Sequence, residues 1–347
     1  MRHVAVGLSL ILLASCILLW SDPKRKTNQA GSDTRLKVAL LNYTSVPVLE
    51  DGQRGMVDGL AESGFENGKQ IEIKHFNAEG DRATAVLMAK EVVGGKYQAI
   101  LTLSTPMLQA VATANEYTQR THIFTLSTDP AGAGVGIDRD DPTNHPPYMI
   151  GYGTMQPVAE IFAYARQAFP NLKKVGVVWN PAESNSEAST LLARSACKEM
   201  QIELVEATVD TAAGILDAVK AILAKDIQAI WVGGDTTVAS GLDTMINTAA
   251  QAKVPVFSNI PVDIEKGAVF SLGADYYQVG IASGKLAARI LNGESPAQLP
   301  IENYAPKLLA INLQAISQFK PTWNFPKNWE EEAQFVVDVG GKKVSKD

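Results

Sequence analysis

Two rounds of the same alternation constrain this chain more than any single motif does. Short β-branched runs, LKVALL (36–41), IEIKHF (71–76), AILTL (99–103) and HIFTL (122–126), are separated by helical patterns near 50–63, 82–94 and 106–119. The rhythm then repeats as VGVVW (175–179), IELVEA (202–207), QAIWV (228–232) and VPVF (254–257), with helical patterns near 185–200, 212–224 and 237–251. Apolar runs of this length between helices predict βαβ units around a parallel sheet. Two sets predict two doubly wound copies. A partial third unit follows: AVFSL (268–272), the helical pattern YYQVGIASGKLAARIL (276–291) and the strand LLAIN (308–312). A partial unit after two complete ones predicts that the chain crosses between the copies more than once. The expected fold is α/β, with two doubly wound parallel-sheet lobes joined by a multi-crossover hinge. Lobe one is expected at 36–152 plus 274–305, and lobe two at 153–273 plus 306–347. Lobes joined in this way have a cleft between them and can close on a small ligand.

The charge balance narrows the partners. Lys and Arg number 31 against 37 Asp and Glu, a net charge of −6, with no long basic stripe. Nucleic acid is therefore not an expected partner. Four His and two Cys make neither a zinc cluster nor a disulfide framework. The first residues, MRHVAVGLSLILLASCILLW, pair an early Arg2 with an apolar run from Val4 to Leu12 that ends in Leu13-Ala14-Ser15-Cys16. This has the order of a signal peptide. Its end resembles the lipobox of bacterial lipoproteins, in which the Cys becomes the lipidated first residue. On that reading 1–15 is a signal peptide, Cys16 is the lipid anchor and 16–35 is a flexible tether. The competing reading is an uncleaved anchor, because Val4 to Trp20 is of a length that just spans a bilayer. Both readings export the remainder to the periplasm or cell surface and hold it at a membrane.

In an open parallel sheet, ligands bind beyond the carboxyl ends of the strands. Here those loops supply Tyr43, Ser45, Ser104, Thr105, Ser127, Thr128, Asn180, Glu183, Asn185, Asp235 and Asn259. They are rich in Ser, Thr, Asn and Asp and hold no His, Cys or Lys, which is the chemistry of hydrogen-bonded capture. Thr105 before Pro106 either caps its helix or, with the free amides there, holds a ligand carboxylate. Asp235, with Glu183 in reserve, either caps a helix or pairs with a ligand ammonium. Tyr43 either stacks on an aromatic ligand or packs on the lobe surface. Asp129, before Pro130, either holds its turn or touches ligand. A small zwitterion fits these groups best.

An enzyme is not expected. His3 lies in the signal, His75 and His122 lie in strands, and His145 sits in a Pro-rich loop expected to be exposed. Cys197 has no nearby His to activate it and reads as a small core residue. Gly132-Ala-Gly134-Val-Gly136 is GxGxG with no strand leading into it, so it is no dinucleotide site. No cofactor and no metal are expected.

The same loops resemble the ABC-transporter substrate-binding lipoproteins of the type I periplasmic-binding fold, the group that includes tryptophan and tyrosine binders. The resemblance runs from about 36 to 320 through GLAESGFENGKQIEIKHFNAEGD (59–81), STPMLQAVA (104–112), FTLSTDPAGAG (124–134), VGVVWNPAESNS (175–186), KVPVFSN (253–259) and GAVFSLGADYYQVG (267–280). It implies ligand roles for Ser104, Thr105, Ser127, Thr128, Asn180, Glu183, Asn185 and Asp235. It also implies a monomer that captures an amino acid, with a leaning to aromatic ones, and serves an ABC permease and its ATPase. A binding protein feeding a receptor, or one taking a neutral ligand such as a nucleoside, is the alternative. Asn42 to Ser45 and the insertion-like stretch GIDRDDPTNHPPYM (136–149) depart from the pattern. A repressor of this fold is excluded, because the signal and tether stand where its DNA-binding segment would be.

Overall fold

The computed structural model describes residues 35–345, so the signal-like segment and Cys16 lie outside the described residues, as does nearly all of the tether. Residues from Leu36 onward form one compact unit. The chain first builds β1 (Leu36–Asn42), α1 (Pro47–Glu62), β2 (Ile71–Asn77), α2 (Arg82–Gly94), β3 (Ala99–Leu103), α3 (Thr105–Asn115), β4 (His122–Ser127) and β5 (Met149–Gly153). It then builds α4 (Val158–Ala168), β6 (Lys174–Trp179), α5 (Ser184–Glu199), β7 (Glu203–Thr208), α6 (Ile215–Leu223), β8 (Ala229–Val232), α7 (Thr236–Ser240), α8 (Leu242–Gln251), β9 (Val256–Ser258) and β10 (Phe270–Ala274). The remainder is α9 (Tyr276–Leu291), β11 (Glu302–Asn303), β12 (Lys307–Asn312), α10 (Leu313–Ser317), α11 (Trp329–Glu332), β13 (Phe335–Val337) and β14 (Lys343–Ser345).

Two sheets result, ordered β11-β5-β4-β3-β1-β2 and β14-β13-β12-β10-β9-β8-β6-β7. The chain passes between them after Gly153, after Ala274 and after Asn303. Central strands are buried throughout, as β3, β4 and β8 show, because helices cover both faces of each parallel sheet. The first sheet is wholly parallel. The second departs from the all-parallel expectation: β12 runs antiparallel to β10, and β14 antiparallel to β13. The reason is the third crossing. It re-enters the sheet beside the end of β10, with Lys307 opposite Ala274, so β12 can only run back along it. The structure also adds β5 and α4, which the sequence pattern did not single out. Gly241 divides the single helix expected at 237–251 into α7 and α8.

The closest packing in the first sheet's layer is between α1 and α9. Gly52, Gly55 and Gly59 on α1 face Gly280 and Gly284 on α9. A Cβ on Gly55 would lie 2.1 Å from Tyr277 O, and one on Gly284 would lie 2.2 Å from Met56 O. Backbone touches backbone here, which only glycine permits.

Cys197, read as core, is core, and the strand residue His122 is buried as well. Cys197 is buried among the apolar side chains around α5 and β6, and burial pushes its thiol up to about 12, so it stays protonated at neutral pH. His122 is fully buried beside Thr102 Oγ1 at 2.8 Å, and desolvation lowers its ring to about 3. His145 differs from expectation. It is half-buried, and its Nε2 donates to Leu299 O at 2.8 Å. With Pro142 O accepting from Ile301 N at 2.8 Å, this fastens the 136–149 stretch onto the chain leading into β11. Asp129 holds its turn, accepting from Gly132 N and from Arg139 Nη2 at 2.6 Å.

The α1–α9 contact yields a sharp expectation. Gly284→Ala forces the helices apart and should lower unfolding free energy by about 1–3 kcal/mol. Gly94→Ala, at a helical glycine with open space around it, should be neutral or stabilising by up to about 1 kcal/mol. Urea titration of the two variants checks this, and equal effects would contradict the contact.

Candidate functional site

The crossings stand at the β5 and β11 edge of the first sheet, while β2 and β7 stand at the opposite edge. Segments that follow strands of both sheets line one cavity, Tyr43 and Pro106 from the first and Asn180 and Thr236 from the second. Ser104 stands between β3 and α3 with φ 86, outside the ordinary regions for a residue with a side chain. Such a conformation costs about 1–3 kcal/mol. Its hydroxyl makes no capping bond, is 1% exposed, and has no partner among the described residues.

Ser104 is not alone. Asn42 Oδ1 at the end of β1, Thr154 Oγ1 and Gln156 Oε1 in the first crossing, and Ser184 Oγ and Asn185 Oδ1 at the start of α5 are also buried without a partner. These groups come from both lobes and the hinge. Residues around them join the lobes: a Cβ on Gly234 of lobe two would lie 3.0 Å from Gln156 Oε1 and 3.3 Å from Thr128 Oγ1 of lobe one. Gln156 Nε2 also donates to Tyr276 Oη at the second crossing. Buried polar groups nearly always find partners, so unpartnered atoms at strand ends, at the start of α5 and in the first crossing are candidates to bond something else.

Two carboxylates lie nearby, and both are occupied. Asp235 Oδ2 accepts from Asn180 N at 2.7 Å and Ser186 Oγ at 2.6 Å, and Oδ1 accepts from Val238 N at 2.7 Å. Burial, with the charge of Glu183 beside it, pushes Asp235 up to about 7 against those three bonds. Glu183 accepts from Thr236 N and Oγ1, Thr237 N and Oγ1, and Asn185 Nδ2, at 2.6–3.0 Å. The pair ties the β6–α5 loop to the start of α7.

The remaining expected residues divide. Thr105 Oγ1 lies 3.2 Å from Ser127 Oγ and accepts from Thr128 N, so these three form one bonded cluster under Ser104. Asn180 is fixed inside lobe two, its Nδ2 donating to Thr237 Oγ1 at 2.9 Å. Asn259 has no free group: its Oδ1 accepts from Trp231 Nε1 and its Nδ2 donates to Leu272 O. Ser45 is exposed and accepts from Asn77 Nδ2. The first is thus bonded within the core, and the second is bonded at the surface. Tyr43 is half-buried, its hydroxyl donating to Gly80 O at 2.9 Å.

Tyr43 lines a cavity of about 630 Å³ shared by segments of both sheets, walled by small residues such as Ala85, Pro106 and Ala182 and by the charged Asp81, Arg82, Lys90 and Glu183. Sequence reasoning passed over Asn42, Thr154, Gln156 and Ser184. Asn42 and Ser184 stand in the loops it chose. Thr154 and Gln156 become visible only once β5 is recognised.

The comparisons with known proteins give the family and the fold. Residues 37–324 match the family model described as ABC transporter substrate binding protein. The chain belongs to that family. Its fold is shared with a conserved domain protein from Vibrio cholerae, at TM-score 0.81 and 32% identity, over 87% of this chain and 99% of that one. An ABC domain from Streptococcus pneumoniae in complex with L-Trp is equally near in shape, at TM-score 0.81 and 26% identity over 87% and 99%. A tyrosine-binding protein of Clostridioides difficile is 25% identical over 292 residues, 84% of this chain and 83% of that protein. The substrate-binding protein is thus extracytoplasmic and captures solute without transforming it, as its family does. No helix among the described residues is long and apolar enough to cross a membrane.

The carboxylate geometry makes Asp235 a structural residue of the ligand-free protein. Asp235→Ala strands three donors and removes a cap. It should lower unfolding free energy by about 2–4 kcal/mol, measured by chemical denaturation without ligand. A variant of unchanged stability would contradict the bonding described.

Proposed function

We propose that this substrate-binding protein captures an amino acid between its lobes, with a large aromatic side chain preferred, and delivers it to an ABC permease and its ATPase. The observation that carries the reading is the set of buried, unpartnered polar atoms contributed by both lobes and the first crossing. Their chemistry has two halves. Three amide oxygens, on Asn42, Gln156 and Asn185, are acceptors and suit an ammonium. Hydroxyls on Ser104 and Ser184 stand at the starts of α3 and α5, where free amides and the helix dipole suit a carboxylate. The ammonium therefore meets neutral acceptors and not Asp235, whose oxygens are already spent. The shared cavity, with Tyr43 in its wall, receives the side chain. The relatives named for tyrosine and L-Trp support the aromatic preference. Cys16 supplies the lipid anchor that keeps the protein at the membrane, and the lobes close on the ligand about the crossings.

Thermal shift and calorimetry on the mature protein test this. Tyrosine or tryptophan should raise the melting temperature by mass action. Ser104→Ala should lose at least about tenfold in affinity, as expected for a buried bond to a charged group, while Ser45→Ala binds normally. The wild type should fractionate with membranes and Cys16→Ala should not. Stabilisation by nucleosides or sugars and not by amino acids would overturn the ligand assignment.

A further inference from the structure

Asn185 is a side chain whose chemistry is decided by its neighbours. Its Nδ2 donates to Gly234 O at 2.9 Å and to Glu183 Oε2 at 3.0 Å. Both amide hydrogens are thereby spent inside lobe two. Its Oδ1 is left buried, pointing at no protein donor. An amide can present either hydrogens or lone pairs, and which it presents depends on what holds its other end. Gly234 O and Glu183 Oε2 both demand hydrogens, so the lone pairs face outward.

Glu183 is itself immobile. Five donors hold it: the amides and hydroxyls of Thr236 and Thr237, and Asn185. Those bonds take both oxygens, so Glu183 has little left to offer a ligand directly. Its carboxylate also cannot turn round as an amide would, because both of its ends accept.

We propose that Glu183 is a positioning residue that locks the Asn185 amide with its carbonyl toward the ligand, and that this lock makes the site select an ammonium over a hydroxyl at the same carbon. The inference rests on the amino-acid reading above and deepens it. Without Glu183, one amide hydrogen of Asn185 loses its acceptor and only Gly234 O still opposes a turn of the amide. A turned amide would present hydrogens to the ammonium, which is a repulsive contact, whereas a hydroxyl can accept from it.

The test compares tyrosine with p-hydroxyphenyllactate, which differs only by hydroxyl in place of ammonium. Calorimetry gives the affinity ratio for the wild type, Glu183→Ala, Asn185→Leu and the double variant, each checked for folding by its melting curve. The wild type should favour tyrosine. Each single variant should narrow the ratio by about tenfold or more, the scale of one bond to a charged group. The double variant should narrow it no further than Asn185→Leu alone, because both changes act through one amide. Equal narrowing by Glu183→Ala in the Asn185→Leu background would mean that Glu183 meets the ligand itself, and would overturn the proposal. So would an unchanged ratio in Asn185→Leu, whatever the stability of Glu183→Ala. A wild type that binds neither compound and is stabilised by nucleosides or sugars but no amino acid overturns the amino-acid reading as well. A wild type that prefers tyrosine, with variants that keep its ratio, overturns only the lock.

Discussion

The backbone contact between α1 and α9 is the constraint on which the rest of the molecule depends. A helix that follows β10 of the second sheet could pack anywhere on lobe two. Five glycines let α9 seat against α1 instead, with its Gly284 against the Met56 carbonyl. That seating makes the second crossing, and so commits the chain to the third. It also sets the cleft from both sides. α1 begins at Pro47, a few residues after Asn42, and α9 begins at Tyr276, whose hydroxyl receives the Gln156 amide. Two of the unpartnered amide oxygens are thus placed by one helix pair.

Two buried carboxylates stand beside the unpartnered groups, and both are already hydrogen-bonded. Glu183 and Asp235 are buried close enough for each to feel the other, an arrangement that would be costly if either lacked donors. Eight donated bonds satisfy them. What they provide is rigidity in the two loops that carry Asn185 and Thr236.

Much of this was legible in the residues. The alternation of β-branched runs with helical patterns placed the central strands of both sheets, and YYQVGIASGKLAARIL matched α9 over 276–291. The loops that would carry the site were also legible, because strand ends in such sheets are where ligands lie. What those loops do in detail was not. Asn259 has the same composition signal as Asn185, yet one is consumed by Trp231 and Leu272 while the other keeps a free oxygen. Only tertiary neighbours distinguish them. Asp235 reads in sequence as a cap or an ammonium partner; in space three donors from three segments also bond it. Gln156 was invisible for a different reason. MIGYG is a strand held by its place between β4 and β11, with two glycines and little apolar pattern of its own, and the crossing after it could not be located without it.

The central claim is that the unpartnered groups on both lobes and the hinge are what a ligand bonds. A crystal structure of the protein with L-tyrosine tests it most directly. The account predicts the amino-acid head within hydrogen-bond distance of Asn42 Oδ1, Ser104 Oγ, Gln156 Oε1 and Asn185 Oδ1, with the ring beside Tyr43. Tyrosine bound wholly within the shared cavity, with those four atoms still unbonded to it, would contradict the account.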